Sequence, residues 1–207
     1  DGDARDMAGC AREAVDEAIA AMDPAPVAPG KYDIILRNDA MASILGAFAG
    51  MFSADAAQKG LSPLAGREGE DMAAECVTLM DDPLYPINPS PFDDEGTPSV
   101  AKAVIKDGKL ETLLHNLKTA KKAGVKSTSN GGRSSAGSPV GVRITNFYIA
   151  PKEGTLGQLI SELGDGLLIT DFSGLHAGVN PVSGKFSVLC KGRLIKDGRD
   201  VRAVNEI

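Results

Sequence analysis

The two histidines and three cysteines are the side chains best able to hold a transition metal, and a zinc hydrolase needs two or three such ligands close together. His115 and His176 are far apart in the sequence, and neither has a second ligand at helical spacing. Cys10, Cys76 and Cys190 are scattered and form no C-x-x-C pair. The residues alone therefore favour histidines with ordinary hydrogen bonds, and free cysteines in a reducing compartment.

Three consecutive carboxylates, from Asp93 to Glu95, could ligate a hard cation or act as an acid–base pair. They stand directly before Gly96 and Pro98, and acidic residues in that setting are typical of turns. We therefore favour the turn over a cation site or an acid–base pair.

Two other patterns resemble a catalytic motif and a phosphate-binding motif, but the sequence around them lacks the context that each motif requires. Ser99 and Lys102 match the S-x-x-K of serine acyl-transfer enzymes, yet that nucleophile begins a helix, whereas Ser99 enters a predicted strand. Three lysines between Lys118 and Lys122, with Arg133, form a basic patch beside a Gly-rich loop. The phosphate-binding pattern G-x-x-x-x-G-K-[ST] is absent, so we interpret this patch as a solvated surface.

The overall composition argues against some classes of partner. Asp and Glu number 28 against 22 Lys and Arg, and the net charge of -6 disfavours non-specific attraction to nucleic acid or anionic lipid. Aromatic residues make up only 4% of the chain and Trp is absent, so few side chains could stack on bases. No apolar run approaches the roughly 18 to 20 residues that a membrane span needs. We therefore expect neither nucleic acid nor a membrane as a partner.

The first 30 residues are typical of a connection from a preceding domain. Apolar residues at 7, 11, 14, 18 and 22 recur at steps of three and four, which predicts an amphipathic helix ending at Asp23. Prolines at 24, 26 and 29, followed by Gly30, predict a stiff extended linker. We assign residues 1–30 to this connecting helix and linker. Residues 31–207 then form a domain that is incomplete at its C-terminus, because the chain ends in a strand-like run.

A short strand over residues 32–36 and a helix over residues 40–52 are predicted next, with Asn38 as a suitable N-cap residue. The helix is apolar nearly all round, so we expect it to be buried in a core or against a partner subunit. Gly46 and Gly50 weaken the helix by about 1 kcal/mol each relative to Ala. Their spacing of four would let another backbone approach closely.

Two Asp-Gly pairs, at 107–108 and 197–198, each lie between strand-like runs and give a strong β-hairpin signal. Both belong to the sequence Ile-Lys-Asp-Gly, which leaves open an internal duplication, although a repeated turn is the simpler account. Further predicted elements are helices at 117–123 and 155–163, and strands at 76–80, 141–149, 167–171 and 185–196. The sequence therefore predicts an α+β fold: a mainly antiparallel sheet built from hairpins, with a few packed helices.

Several motifs occur together, and in the same order, in one known family. They are Phe92-Asp-Asp-Glu-Gly-Thr-Pro98, Ile105-Lys-Asp-Gly-Lys-Leu110, Lys126-Ser-Thr-Ser-Asn130 before Arg133, Thr145-Asn146, Ser173-Gly-Leu-His-Ala-Gly-Val-Asn180 and Ser183-Gly-Lys-Phe-Ser187. On these residues the chain resembles the C-terminal domain of the TldD/PmbA proteins, long described as modulators of DNA gyrase. The likeness extends over nearly all of residues 31–204.

The resemblance also locates the zinc motif of the family's peptidase branch, H-E-x-x-x-H, on the helix after the first strand. Gly46 and Met51 occupy the positions of its two histidines, and Ala47 occupies that of the catalytic Glu. None of these side chains replaces the residue it stands for. The resemblance therefore implies the non-catalytic PmbA or TldE-like branch, with no catalytic residue, no metal ligand and no cofactor in this chain.

Members of that branch pair with a zinc-bearing TldD-like subunit, and such pairs are associated with proteolysis of unfolded or leader peptides. The resemblance thus implies a cytoplasmic oligomer, with a TldD-like partner or as a homodimer, that holds an extended peptide while zinc resides in the partner. Two alternatives stay open: a self-sufficient metallopeptidase with an unrecognised site, and a gyrase-associated regulatory protein. The family-motif or peptide-binding candidates are Asp93, Asp94, Glu95, Gly96, Asn130, Arg133, Asn146, His176 and Asn180.

Overall fold

A computed structural model describes residues 6–207, which divide into two units. The first unit comprises residues 6–44, 153–178 and 187–207, and the second comprises residues 45–152 and 179–186. In chain order the elements are α1 (Met7–Ala20), β1 (Ile34–Leu36), α2 (Asn38–Phe48), a 3-10 helix (Ala49–Phe52), α3 (Ala54–Gln58), β2 (Leu79–Asp81), β3 (Lys102–Lys106), β4 (Lys109–Leu110), α4 (Leu117–Ala123), β5 (Gly131–Gly132), β6 (Gly141–Val142), β7 (Phe147–Ile149), α5 (Leu156–Leu163), β8 (Gly166–Ser173), α6 (Leu175–Gly178), β9 (Val179–Asn180), β10 (Lys185–Phe186), β11 (Leu189–Lys196) and β12 (Arg199–Val204).

The first unit is built on a four-stranded sheet in the order β1, β8, β11, β12. β1 runs parallel to β8, and the other neighbouring strands are antiparallel. Leu167, Ile169 and Val204 form the core on one face of this sheet and are at most 2% exposed. α5, which confirms the helix predicted at 155–163, begins with a capping box: the Thr155 hydroxyl accepts the Gln158 N–H, and the Gln158 side chain accepts the Thr155 N–H.

The Pro-rich linker covers the outer edge of β12. The Ala25 N–H donates to the Ala203 carbonyl at 3.3 Å. In return, the Arg202 guanidinium donates to the carbonyls of Ala25 at 2.7 Å and Pro26 at 3.1 Å. The segment predicted to be a stiff linker therefore also makes specific contacts with the edge of this sheet.

The second unit is built on a separate antiparallel sheet in the order β4, β3, β2, β7. Its core contains Val104, Leu110 and Leu114, each 0% exposed. α4 packs with Thr119 and Ala120 buried; the Asn116 side chain caps its N-terminus, and it ends at Gly124 in the left-handed conformation. The predicted helix at 117–123 is confirmed.

Both predicted Asp-Gly turns are present and have the same conformation. Asp107 and Asp197 have φ of 47° and 49°, and the following Gly108 and Gly198 have φ of 80° and 68°. Two successive positive φ angles define the tight hairpin turn that Asp-Gly favours. The sheets differ in one edge strand, because β1 is parallel to β8 in the first unit whereas β7 is antiparallel to β2 in the second. The turn chemistry is sufficient to account for the repeated sequence, and an internal duplication stays a prediction.

Several element boundaries differ from the sequence prediction. The strand predicted at 141–149 divides into β6 and β7, because the Thr145 N–H donates to the Asp81 carboxylate at 2.8 Å instead of to a strand. The strand predicted at 185–196 is interrupted: β10 pairs with β9, and β11 begins at Leu189. The helix predicted at 40–52 tightens into a 3-10 helix after Phe48.

The α+β architecture with antiparallel hairpins is confirmed in both units. Within residues 6–207, none of the helices combines the length and the hydropathy required to cross a bilayer.

Candidate functional site

The helix α2 exposes a surface of small residues. Ala40 and Ile44 are its only buried residues, whereas Ala42, Gly46 and the following Gly50 are exposed. A methyl group added at Gly46 or Gly50 would meet no atom within 4 Å. Within residues 6–207 one face of this helix is therefore buried and the other is open, and burial of the open face against a partner subunit stays a prediction.

Phe48 and Phe186 border the C-terminal end of α2. Their rings meet edge to face with centroids 5.9 Å apart. Phe186 ends the hairpin formed by β9 and β10, whose turn is held by Asn180. The Asn180 side-chain oxygen accepts the N–H groups of Val182 and Ser183, each at 3.1 Å. Asn180 thus shapes the turn that presents Phe186.

Asp93, the first acid of the Phe92–Pro98 motif, is 3% exposed and is bonded entirely to backbone. Its Oδ1 accepts the N–H groups of Glu95 at 3.0 Å and Thr97 at 2.9 Å. Its Oδ2 accepts the Gly131 N–H at 2.8 Å. One buried carboxylate therefore closes its own turn and fastens that turn to β5.

The two acids that follow Asp93 also bind backbone amides. Asp94 Oδ2 accepts the Arg133 N–H at 2.7 Å, and Glu95 Oε2 accepts the Leu117 N–H at 2.7 Å, at the start of α4. Gly96 completes the turn with φ of 77°, a backbone conformation that favours glycine. The structure thus gives these candidates roles in joining a turn, a loop and a helix.

A second polar cluster, which we call the Asp81 cluster, comprises Asp81, Lys102, Thr128, Asn130 and Thr145. Asp81 is 0% exposed and lies 2.9 Å from the Lys102 ammonium. Asn130 is 1% exposed, donates to Asp81 at 2.7 Å, and accepts the Thr128 hydroxyl at 2.7 Å. Sequence reasoning identified Asn130 but missed Asp81, and it considered Lys102 only in the rejected S-x-x-K pattern.

β7 is an edge strand with one free side. Tyr148 is paired with Met80, and the backbone groups of Asn146 and Ala150 bond toward the β2 side. Because bonding alternates along an antiparallel strand, the backbone groups of Phe147 and Ile149 point away from β2. In the region that the structure describes, no strand pairs with this outer side.

Asn146 connects the proline-rich loop that follows β2, residues 82–91, to the start of β7. Its side-chain amide donates to the Asp82 carbonyl at 2.9 Å and to the Asn88 carbonyl at 3.4 Å. The rings of Tyr85 in the loop and Tyr148 in β7 lie 5.4 Å apart. Asn146 therefore positions the loop beside the free edge of this sheet.

Residues 29–207 match the family model of the PmbA/TldA metallopeptidase C-terminal domain. The chain belongs to this family.

Three relatives define the extent of the similarity to the PmbA/TldA family. A metalloprotease from Archaeoglobus fulgidus is 34% identical over 163 residues, which are 78% of this chain and 37% of that protein. TldE from Thermococcus kodakarensis has 28% identity and a TM-score of 0.86 over 96% of this chain and 46% of its own. A Thermotoga maritima protein, described as a candidate modulator of a DNA gyrase, has 38% identity and a TM-score of 0.87 over 93% and 44%. The chain thus spans less than half the length of each of these relatives.

The residues at the three positions that the resemblance assigns to the zinc motif do not fit a zinc ion. Gly46 has no side chain, Ala47 presents a methyl group, and Met51 packs against the core of the second unit. Zinc sites use thiolate, imidazole and carboxylate ligands, and none of these groups stands at the three positions. Across residues 6–207, no three His, Cys, Asp or Glu side chains are grouped so as to hold a metal ion.

The two histidines of this PmbA/TldA domain have different settings. His176 is exposed in the short helix α6 of the first unit. His115 is 5% exposed in the second unit, and its Nδ1 has no hydrogen-bond partner in the described structure. The His115 backbone carbonyl accepts the N–H groups of Thr128 at 3.2 Å and Asn130 at 3.3 Å. His115 therefore anchors the 126–141 loop through its backbone.

Burial lowers the pKa of His115 below its usual value of 6.5, although the nearby Thr119 backbone and the charge of Glu68 act in the opposite direction. The unfolded chain then binds this proton more readily than the folded chain. We expect the free energy of unfolding to fall as the pH decreases below about 6.5, because that proton favours the unfolded state. Urea unfolding at pH 7.5, 6.5 and 5.5 measures the slope.

Replacing His115 with Gln should flatten this pH dependence, whereas His176→Gln should leave it as in the wild type. The chain has only these two histidines, so the pair of variants isolates the buried one. An unchanged slope in the His115→Gln protein would show that burial of His115 does not govern acid stability.

Proposed function

We propose that this chain is part of a non-catalytic, TldE-like subunit that pairs with a zinc-bearing TldD-like peptidase and helps to process unfolded or leader peptides. The observation that carries the proposal is that Gly46, Ala47 and Met51 stand where the resemblance locates the zinc motif, and none of them can bind zinc or move a proton. The rest of the family's C-terminal domain is retained around these positions, since the family model matches residues 29–207. Loss of the metal site within a retained fold is expected of a subunit whose chemistry is supplied by its partner.

The open face of α2 is the surface we assign to the partner subunit. Exposed small residues let a second backbone approach closely, and the space beyond Gly46 and Gly50 is empty. Close contact there would bury the apolar groups of α2 that the described chain leaves exposed. A homodimer formed through the same face is the alternative assembly.

The free edge of β7 and the 126–141 loop are the segments we assign to an extended peptide. A peptide added to β7 would bond with the outward backbone groups of Phe147 and Ile149, so recognition would depend little on its sequence. Arg133, which is exposed in the loop, is available for contact. Asp93 and Asn130 are buried, so we expect them to shape this site without touching the peptide.

A cleavage assay tests the proposal. The full-length protein alone, its TldD-like partner alone, and the mixture are each incubated with an unstructured peptide, with and without a chelator. We expect chelator-sensitive cleavage only when the partner is present, and more of it in the mixture. Chelator-sensitive cleavage by the full-length protein alone would refute the assignment.

Gly46→Leu tests the docking face within the same assay. The leucine projects into open space, so the fold should be kept, but the close approach of the partner should be blocked. Gly157→Leu is a matched control, since Gly157 is an exposed helical glycine whose nearest neighbour would be 3.9 Å away. We expect at least a tenfold loss of complex formation by sedimentation for Gly46→Leu and none for Gly157→Leu. A homodimer lost on the same substitution would support the alternative assembly.

A self-sufficient metallopeptidase is the second candidate, and it is favoured by the name of the Archaeoglobus fulgidus relative, a metalloprotease. Zinc would then bind residues of the longer protein, with or without His115 and His176. Elemental analysis of the full-length protein separates the two candidates, because one zinc per chain supports this one. We further propose a cytoplasmic location, in keeping with the free cysteines Cys10, Cys76 and Cys190.

A further inference from the structure

We infer that Asp81 and Lys102 are positioning residues that set the geometry of both segments assigned to the peptide, the 126–141 loop and the edge strand β7. Neither residue needs to touch the peptide to do so. The inference rests on the proposed function, because the geometry of these segments matters to a peptide only if they hold one.

Four donors converge on the two oxygens of the Asp81 carboxylate. Oδ1 accepts the Thr145 N–H and the Thr145 hydroxyl, both at 2.8 Å. Oδ2 accepts the Lys102 ammonium at 2.9 Å and the Asn130 amide at 2.7 Å. A carboxylate can satisfy this set because both of its oxygens accept, whereas an asparagine amide has only one acceptor oxygen.

The bond to Asn130 makes the conformation of the 126–141 loop depend on the position of the Asp81 carboxylate. The Asn130 amide also donates to the Arg143 carbonyl at 2.8 Å, and the Arg143 N–H donates to the Asn130 carbonyl at 2.7 Å. The next residue, Gly131, is held by Asp93 at 2.8 Å. Asn130, inside the loop, is thus bonded both to Asp81 and to Arg143, which lies two residues after the loop.

The bond to Thr145 makes the start of β7 depend on the position of the same carboxylate. Thr145 stands two residues before Phe147, whose outward backbone groups begin the free edge. With its N–H and hydroxyl both on Asp81, Thr145 is fixed at the point where the chain enters this strand. A shift of the carboxylate would therefore move the loop and the edge strand together.

Lys102 supplies the positive charge that permits a carboxylate at this depth. The side chain of Asp81 is 0% exposed and that of Lys102 is 13% exposed. A buried charge requires both a counter-charge and hydrogen bonds. The Lys102 ammonium provides the first and also reaches the Asn130 side-chain oxygen at 3.3 Å.

The test compares Asp81→Asn and Lys102→Met with Val104→Ala in the full-length protein, together with its zinc-bearing partner. Val104 lies in the same strand as Lys102 and is 0% exposed, but it belongs to the apolar core. Two quantities are measured for each protein: the Kd for fluorescein-labelled casein, and hydrogen exchange at the amides of Arg143 and Thr145. A thermal scan measures the stability that each variant loses, and binding is assayed at a temperature at which all of the proteins are folded.

For Asp81→Asn and Lys102→Met, we expect at least a tenfold weaker Kd and at least tenfold faster exchange at these amides. For Val104→Ala, we expect a Kd within twofold of wild type and no selective change at the two amides. An equal loss of affinity in Val104→Ala would overturn the inference, because general destabilisation would then explain it. An unchanged Kd in Asp81→Asn would overturn it as well.

If the wild-type complex binds no casein, the proposed function fails, and hydrogen exchange still decides whether Asp81 fixes the two segments. Selective acceleration at Arg143 and Thr145 in Asp81→Asn supports that role. Acceleration spread evenly over the second unit refutes it.

Discussion

Alanine at position 81 should lower the free energy of unfolding by about 3–5 kcal/mol, the usual cost of removing one partner from a buried ion pair. Lys102 would keep its charge with a side chain only 13% exposed. The Thr145 N–H would also lose its acceptor, since it donates only to Asp81. The result is a charge and a backbone donor left without partners in the interior. Urea unfolding followed by circular dichroism measures the change.

Asp200→Ala is the matched control for this prediction. Asp200 pairs with Arg193 at 2.7 Å, a distance similar to that of the Asp81 pair, but its side chain is 41% exposed. Water can replace the lost partner there, so we expect a loss of about 1 kcal/mol or less. Equal losses in the two variants would mean that burial of Asp81 does not increase the contribution of its ion pair to the free energy of unfolding.

Alanine at position 93 should lower the free energy of unfolding by roughly 2–4 kcal/mol, because unsatisfied buried donors cost about 1–3 kcal/mol each and partial relaxation is expected. Three backbone N–H groups, those of Glu95, Thr97 and Gly131, would lose their acceptor together. The turn would also lose its attachment to β5. The same urea titration measures this effect.

Asp94→Ala provides the comparison inside the same motif. Its carboxylate accepts one N–H, that of Arg133, and its side chain is 36% exposed. We therefore expect a loss of about 1 kcal/mol or less. If the motif instead acts directly on a peptide, Asp94→Ala should weaken peptide binding by tenfold or more while stability stays near that of the wild type. Unfolding and casein binding measured on one preparation separate these outcomes.

Features determined within a few residues could be predicted from the sequence. The Thr155–Gln158 capping box, the Gly124 helix end and both Asp-Gly turns are local, because each depends on side-chain and backbone groups that are neighbours along the chain. The α+β class followed from these local elements. The motif at 92–98 was identified as a turn by the same reasoning, and its first acid is bonded within that turn.

The Asp81 cluster could not be predicted in this way. Asp81 meets Lys102, Asn130 and Thr145 across separations of 21, 49 and 64 residues. Nothing in the sequence near Asp81 distinguishes it from the adjacent Asp82. Its role depends on which strands become neighbours in the sheet. The break between β6 and β7 was missed for the same reason, since it is caused by this distant carboxylate.

The contact between the Pro-rich linker and β12 bears on how the sheet of the first unit ends. Ala25 donates its N–H to the Ala203 carbonyl, and its neighbours Pro24 and Pro26 have no N–H to donate. A further strand would find an incomplete row of donors there, so the linker protects the sheet against edge-to-edge aggregation. The two prolines thus hinder the pairing of a further strand at the β12 edge of the sheet. A domain boundary drawn at residue 31 would remove that protection.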